Sequence, residues 1–185
     1  MTGQPNAAER TLVAGVGNIF ARDDAFGVEV IRLLADRPVE PGVEIRDFGI
    51  RSVHLAYELL DGCDLFVLID AAASGSDPGT VTVLEVDPGS APADDGDPAA
   101  APVFDAHGLN PDDIFALLAS LGGRPGRSLV VACEPADTSP GMGLSDPVKA
   151  ALPHAVTAVE EILREHRIQH PVLGMNGARD GEQAR

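Results

Sequence analysis

Short apolar runs alternate with amphipathic segments along most of the chain. Apolar or β-branched runs predict strands at positions 12–16, 43–48, 65–69, 80–86 and 128–133. Apolar residues at helical spacing predict helices at positions 24–37, 54–60, 111–121 and 145–167. This alternation predicts an α/β fold, a three-layer sandwich in which helices flank both faces of a twisted, mainly parallel sheet.

Some segments also predict where a strand lies in the sheet or how a helix begins and bends. The run 65–69 is continuously apolar, which indicates a central strand buried on both faces. The run 80–86 alternates and follows Pro78-Gly79, which favours an edge strand. We expect Ser145 to cap the last helix and Pro153 to kink or split it.

The length of 185 residues suits one domain, which we place at residues 1–168. Within it, positions 87–105 hold five aspartates, four prolines and no basic residue, so we expect a mobile acidic loop about there. Residues 169–185 are polar and predict a disordered tail.

The charge limits the classes of partner. Acidic residues outnumber basic ones 29 to 13, and the formal net charge of -16 opposes nucleic acid and anionic lipid as partners. With no apolar run long enough to span a membrane, we expect a cytoplasmic protein. Cys63 and Cys133 are isolated and are interpreted as reduced core residues.

Four polar residues stand where the predicted strands end or just before a helix. Asp23 and Asp24 follow the first strand, Asp70 closes the central one, and His107 precedes a helix. Because ligands bind at the carboxyl ends of strands in such sheets, an acid of the first loop, Asp70 and His107 can converge on one crevice. Carboxylates and an imidazole form a plausible metal site with open positions.

Structural roles remain open for the same residues. Asp24 can be a helix cap, and His107 can be a solvated loop histidine. For Asp70 a functional role is favoured, since a carboxylate after five apolar residues is costly without a dedicated partner.

The Gly15-Val16-Gly17 turn also permits a dinucleotide-binding interpretation, which the neighbouring residues oppose. Phe20 stands where a third glycine is expected. In addition, the acidic pair after it places negative charge where a pyrophosphate would bind.

Four ordered motifs, spread over about residues 11–167, resemble those of the hydrogenase maturation proteases. The opening one is the glycine-asparagine turn with an acidic pair and a glycine, at positions 15–28, GVGNIFARDDAFGV. The others are LIDA at 68–71, DAHGL at 105–109, and EP at 134–135 leading to GMGLS at 141–145.

The resemblance implies a phosphorylase/hydrolase-like fold and an aspartic-type endopeptidase. Its members remove the C-terminal extension of a nickel-loaded nickel-iron hydrogenase large-subunit precursor. Carried over by motif, the nickel contacts fall on Asp24, Asp70 and His107, and these three would also be the catalytic groups. The nickel would arrive with the substrate, and we expect a monomer. Asp24 stands where many relatives have glutamate, which shortens its reach by one methylene.

This chain departs from the family pattern after the second strand. Where the family often shows Asp-Gly-Gly-Thr, the sequence reads Asp47-Phe48-Gly49-Ile50. Since loops on a rigid scaffold set partner choice, we expect Asp47, Gly49 and Ile50 to tune which hydrogenase is accepted.

Two other functions are considered. Peptidyl-tRNA hydrolase has a similar fold and glycine-asparagine turn, but Ile19-Phe20 departs from its motif and the charge of -16 resists a tRNA substrate. A nickel-responsive binding module or chaperone would dock on the precursor through the same three ligands without cutting it.

Overall fold

The computed structural model describes residues 10–86 and 111–170. The strands are β1 (Thr11–Val16), β2 (Val43–Gly49), β3 (Leu65–Ala71), β4 (Val81–Val86) and β5 (Arg127–Cys133). The α-helices are α1 (Phe26–Ala35), α2 (Ser52–Leu59), α3 (Pro111–Ser120) and α4 (Asp146–Gln169). A single 3-10 turn, Arg22–Ala25, leads into α1.

The strands form one five-stranded sheet in the order β2-β1-β3-β5-β4. Neighbouring strands are parallel except β4, which runs antiparallel to β5 at one edge. The continuous apolar run is therefore the central strand β3, and the alternating run is the edge strand β4, as predicted.

Side chains of β3 alternate between two cores, one on each face of the sheet. Leu65, Val67 and Ile69 pack in the core that includes residues of α1 and α4. Phe66 and Leu68 point to the opposite core, with residues of α2 and α3. Helices thus cover both faces, which confirms the three-layer α/β sandwich.

At three places the helices differ from the local expectations. Neither Asp23 nor Asp24 caps α1, because the residue at its cap position is Ala25 and no side chain bonds there. Ser145 occupies the cap position of α4, but its hydroxyl donates to the Asp23 carboxylate instead of a helix N–H. Pro153 does not split α4, which continues through it to Gln169, and the alternative of a kink stays a prediction.

The two cysteines lie where thiols are unreactive. Cys133 is buried and Cys63 is half-buried, and neither forms a disulfide. Burial raises the pKa of both to about 11, so both stay protonated near neutral pH.

Several predictions concern the remaining parts of the chain. The acidic loop at 87–105 and positions 171–185 of the predicted tail lie outside the described residues, whereas Gln169 is the last residue of α4. In the described residues, no helix is long and apolar enough to cross a membrane.

Candidate functional site

The loop after β1 folds back closely over the end of that strand. Gly17 makes this possible with φ of +132°, a conformation that side-chain-bearing residues rarely adopt. A Cβ added there would lie 1.8 Å from the backbone oxygen of Asp24. The glycine therefore brings the acidic pair against the end of the strand and leaves no room for a larger residue.

A second glycine brings α1 onto the sheet. A Cβ at Gly27 would lie 2.2 Å from the oxygen of Ile69 and 2.4 Å from that of Val16. The first turn of α1 thus crosses the carboxyl ends of β3 and β1, which are neighbours in the sheet. This contact places the loop that carries Asp24 beside Asp70.

Asp24 is held by the backbone of its own loop. Its Oδ2 accepts a hydrogen bond of 2.6 Å from the N–H of Asn18, and its side chain is half-buried. Among the described residues this is the one hydrogen bond to the carboxylate, and its other oxygen receives none from them.

Asp70 is a buried carboxylate with little to stabilise its charge. It is 7% exposed, and the hydrogen bond it receives from the described residues comes from the N–H of the next residue, Ala71, at 2.8 Å. Burial and the nearby Asp24 carboxylate raise the pKa of Asp70 to about 8. The metal-free pair therefore holds a proton at neutral pH, at a position where a cation would relieve the same repulsion.

Asp23, the other member of the acidic pair, has a different environment. It is fully buried and accepts hydrogen bonds from the N–H groups of Ala136 and Asp137, both at 2.9 Å. Ser145 donates twice more, from its N–H at 2.6 Å and its hydroxyl at 2.8 Å. Burial opposes ionisation, but these donors outweigh it and lower the pKa of Asp23. Asp23 therefore anchors one loop to another and is not available to a ligand.

Backbone hydrogen bonds join the same two loops. The segment 17–25, after β1, and the segment 134–145, after β5, form a short parallel bridge between Ala21 and Gly141. Gly141 donates to the oxygen of Phe20 at 2.8 Å and accepts from the N–H of Arg22 at 3.1 Å. We call these two segments the paired loops.

Glu134 is a buried acid that the sequence reasoning gave no role. Its Oε2 accepts from the N–H and hydroxyl of Ser74, at 2.6 and 2.7 Å, and from the N–H of Ser76 at 3.2 Å. These bonds, the Ser74 hydroxyl first, lower the pKa of Glu134. Like Asp70, it directly follows an apolar run, and that shared position was the signal available in the sequence. It orders the loop after β3.

The residues expected to tune specificity lie beside this site. The oxygen of Gly49 accepts from the N–H of Gly17 at 3.0 Å, so the loop after β2 touches the turn that positions Asp24. Ile50 is 55% exposed, and Asp47 lines a surface cavity of about 340 Å³. Their effect on substrate choice stays a prediction.

The predicted third ligand, His107, lies outside the described residues. Within residues 10–86 and 111–170, no group of three His, Cys, Asp or Glu side chains could hold a metal ion. In the described part of the chain, the candidate site therefore consists of the Asp24–Asp70 carboxylate pair at the carboxyl edge of the sheet.

Comparison with known proteins decides the family. The family model described as hydrogenase maturation protease matches residues 28–163, well over half of the chain. The chain belongs to this family. It is thus an endopeptidase, which favours the protease interpretation over peptidyl-tRNA hydrolase. This activity is compatible with a chemical role for either carboxylate of the pair.

Individual relatives of this hydrogenase maturation protease cover nearly all of its length. The hydrogenase 2 maturation protease of Escherichia coli (strain K12) is 31% identical over 162 residues, 86% of this chain and 94% of the relative. The hydrogenase expression/formation protein HoxM of Azotobacter vinelandii is 29% identical over 180 residues, 96% of this chain and 81% of the relative.

Among solved structures, the hydrogenase maturating endopeptidase HybD from E. coli is similar throughout. It superposes with a TM-score of 0.69 at 28% identity, covering 85% of this chain and 93% of that structure. The architecture seen here is thus that of the family.

Proposed function

We propose that the chain removes the C-terminal extension of a nickel-iron hydrogenase large-subunit precursor, and that Asp24 and Asp70 contact nickel carried by that precursor. The observation that carries the proposal is the carboxylate pair. Asp70 is buried beside a second carboxylate, and among the described residues its one hydrogen-bond donor is a backbone N–H, an arrangement that a bound cation stabilises.

The donor set suits a metal delivered by a partner. Two carboxylates supply two oxygen ligands, and the family resemblance adds His107 as a third, without a fourth ligand that would close a structural site. Nickel held by cysteine thiolates of the precursor would keep positions open for these groups. In this proposal, nickel is part of the substrate and signals that the precursor is loaded.

Docking then places the cation near the bond to be cut. Nickel can polarise a carbonyl oxygen or lower the pKa of a bound water, and a carboxylate can accept the proton that this water loses. Asp70 favours protonation near neutral pH in the metal-free state, so the arriving cation replaces a proton there.

The test compares two forms of one precursor. Purified protein is incubated with nickel-loaded and nickel-free precursor, and the released C-terminal peptide is detected by mass spectrometry. We expect the peptide from the loaded form alone. Efficient cutting of metal-free precursor in a strong chelator would falsify the nickel requirement, and stable binding of loaded precursor without any cutting would favour the non-cleaving binding module.

A further inference from the structure

An apolar cavity of about 360 Å³ lies between the paired loops and the helices α1 and α4. Its apolar walls come from Ile19, Ala25, Met142, Leu144 and Leu152. The nickel proposal uses none of these residues.

Residues that line the cavity are adjacent in sequence to residues of the candidate site. Ile19 directly follows Asn18, whose N–H binds the Asp24 carboxylate, and Ala25 directly follows Asp24. Two cavity-lining residues are thus the chain neighbours of the residues that form this contact.

Side-chain contacts connect the paired loops beside the cavity. Arg22 has φ of +49°, an unfavourable conformation for a residue with a side chain, and its Nε lies 3.2 Å from the Asp137 carboxylate. The buried Asp23 carboxylate accepts hydrogen bonds across the same loops. Met142, in the second of these loops, is 71% exposed, and a large apolar side chain exposed beside an apolar cavity is typical of a binding surface.

The rim of the cavity carries a cation without a carboxylate partner among the described residues. Lys149, the only lysine of a chain with net charge -16, makes no ion pair with any residue of the described part. Arg32, also on the rim, pairs with Glu29. An exposed ammonium that has no ion pair with a described residue and lies beside apolar walls is complementary to an apolar side chain that has a carboxylate next to it.

We propose that this cavity receives an apolar side chain of the hydrogenase precursor from the surface around its nickel centre, and that Lys149 pairs with a neighbouring carboxylate of the precursor. The inference rests on the proposed function and assigns the partner's contact surface. Asp24 and Asp70 then meet the metal, while the cavity sets the position of the polypeptide around it.

The test measures steady-state cleavage of nickel-loaded precursor by two cavity variants. Met142→Ser should raise KM about tenfold with kcat unchanged, because it removes apolar contact made equally in the bound and transition states. Lys149→Glu should raise KM about fivefold, and less at high salt. Ile168→Ser is the matched control, since Ile168 is 70% exposed like Met142 but lies about 30 Å from Lys149 along the axis of α4.

Direct binding of loaded precursor to each variant, measured by biolayer interferometry, separates the possible failures. Equal KM and affinity for Met142→Ser and Ile168→Ser overturn the cavity proposal and leave the proposed function standing. Wild-type protein that binds through Met142 and does not cut overturns the proposed function alone. Wild-type protein that neither binds nor cuts overturns both. Thermal midpoints equal to that of wild type show that the variants are folded.

Discussion

Asp23 and Asp70 are both buried aspartates within reach of the same strand ends, yet their surroundings are opposite. Asp23 is fully buried among four hydrogen bonds, and these donors lower its pKa. Within the described part of the chain Asp70 has one donor, and burial with the nearby Asp24 carboxylate raises its pKa to about 8. A carboxylate with all its donors supplied stabilises a fold, whereas one left short of donors is available to a ligand.

The largest expected effect is the loss of the Asp23 anchor. Asp23→Asn replaces one carboxylate oxygen by an NH2 group, so either the N–H of Ser145 or the N–H groups of Ala136 and Asp137 lose their acceptor and face an N–H instead. We expect the free energy of unfolding at pH 7 to fall by about 3 kcal/mol in urea titrations. Asp36→Asn, at an exposed position after α1, should change it by less than about 0.5 kcal/mol.

The same substitution has a pH signature. Because the pKa of Asp23 is lowered from 3.8, its stabilisation is present above that value and is lost as pH falls through the folded-state pKa. The gap between wild type and Asp23→Asn should therefore narrow in acid. A gap that stays constant down to the acid transition would contradict the anchor role.

Asp70→Asn should act in the opposite direction in metal-free protein. The folded-state pKa of about 8 lies above the ordinary 3.8, so the stability of wild type declines as pH rises through that window. The variant lacks this decline and should be the more stable form, by a margin that grows by about 3 kcal/mol between pH 5.5 and pH 8.5. Urea unfolding with a chelator at both pH values measures it, and a margin that shrinks at high pH would refute the assignment.

A smaller effect tests whether the two site carboxylates interact. Asp24→Asn keeps an oxygen for the Asn18 N–H and removes the charge that opposes ionisation of Asp70. The pKa of Asp70, followed by carbon-detected NMR of its carboxyl group, should fall by about one unit. An unchanged pKa would mean that burial alone raises it, and the pair would not be a joint cation site.

The smallest effect is local. Glu134→Gln removes charge from the acceptor of the Ser74 and Ser76 N–H groups. Hydrogen exchange at these two amides should quicken several-fold, while the amide of Val67 within β3 stays protected. Unchanged exchange at Ser74 and Ser76 would show that the loop after β3 holds its shape without Glu134.

Periodicity was sufficient to predict the sheet and its layers. The continuous run in β3 and the alternating run in β4 differ because one strand is covered on both faces and the other lies at the edge. These patterns follow directly from burial, so sequence alone identified both strands correctly.

Hydrogen bonds between distant segments could not be predicted in the same way. Asp23 and Asp24 are adjacent acids, and nothing local shows that one faces the donors of residues 136–145 and the other faces Asp70. The local sequence predicted Ser145 as a helix cap. The actual partner of its hydroxyl lies 122 positions away and could not be seen from that local sequence. Glu134 was overlooked although, like Asp70, it directly follows an apolar run.

Under the proposed function, Asp70 is needed for cleavage and not for folding, and cleavage by an Asp70 variant tests this role. Nickel-loaded precursor is mixed with Asp70→Asn protein whose fold has been verified, and the released C-terminal peptide is quantified by mass spectrometry against wild type. We expect release to fall at least a hundredfold while the variant remains as stable as wild type or more so. Release at the wild-type rate would remove Asp70 from the site and refute this role.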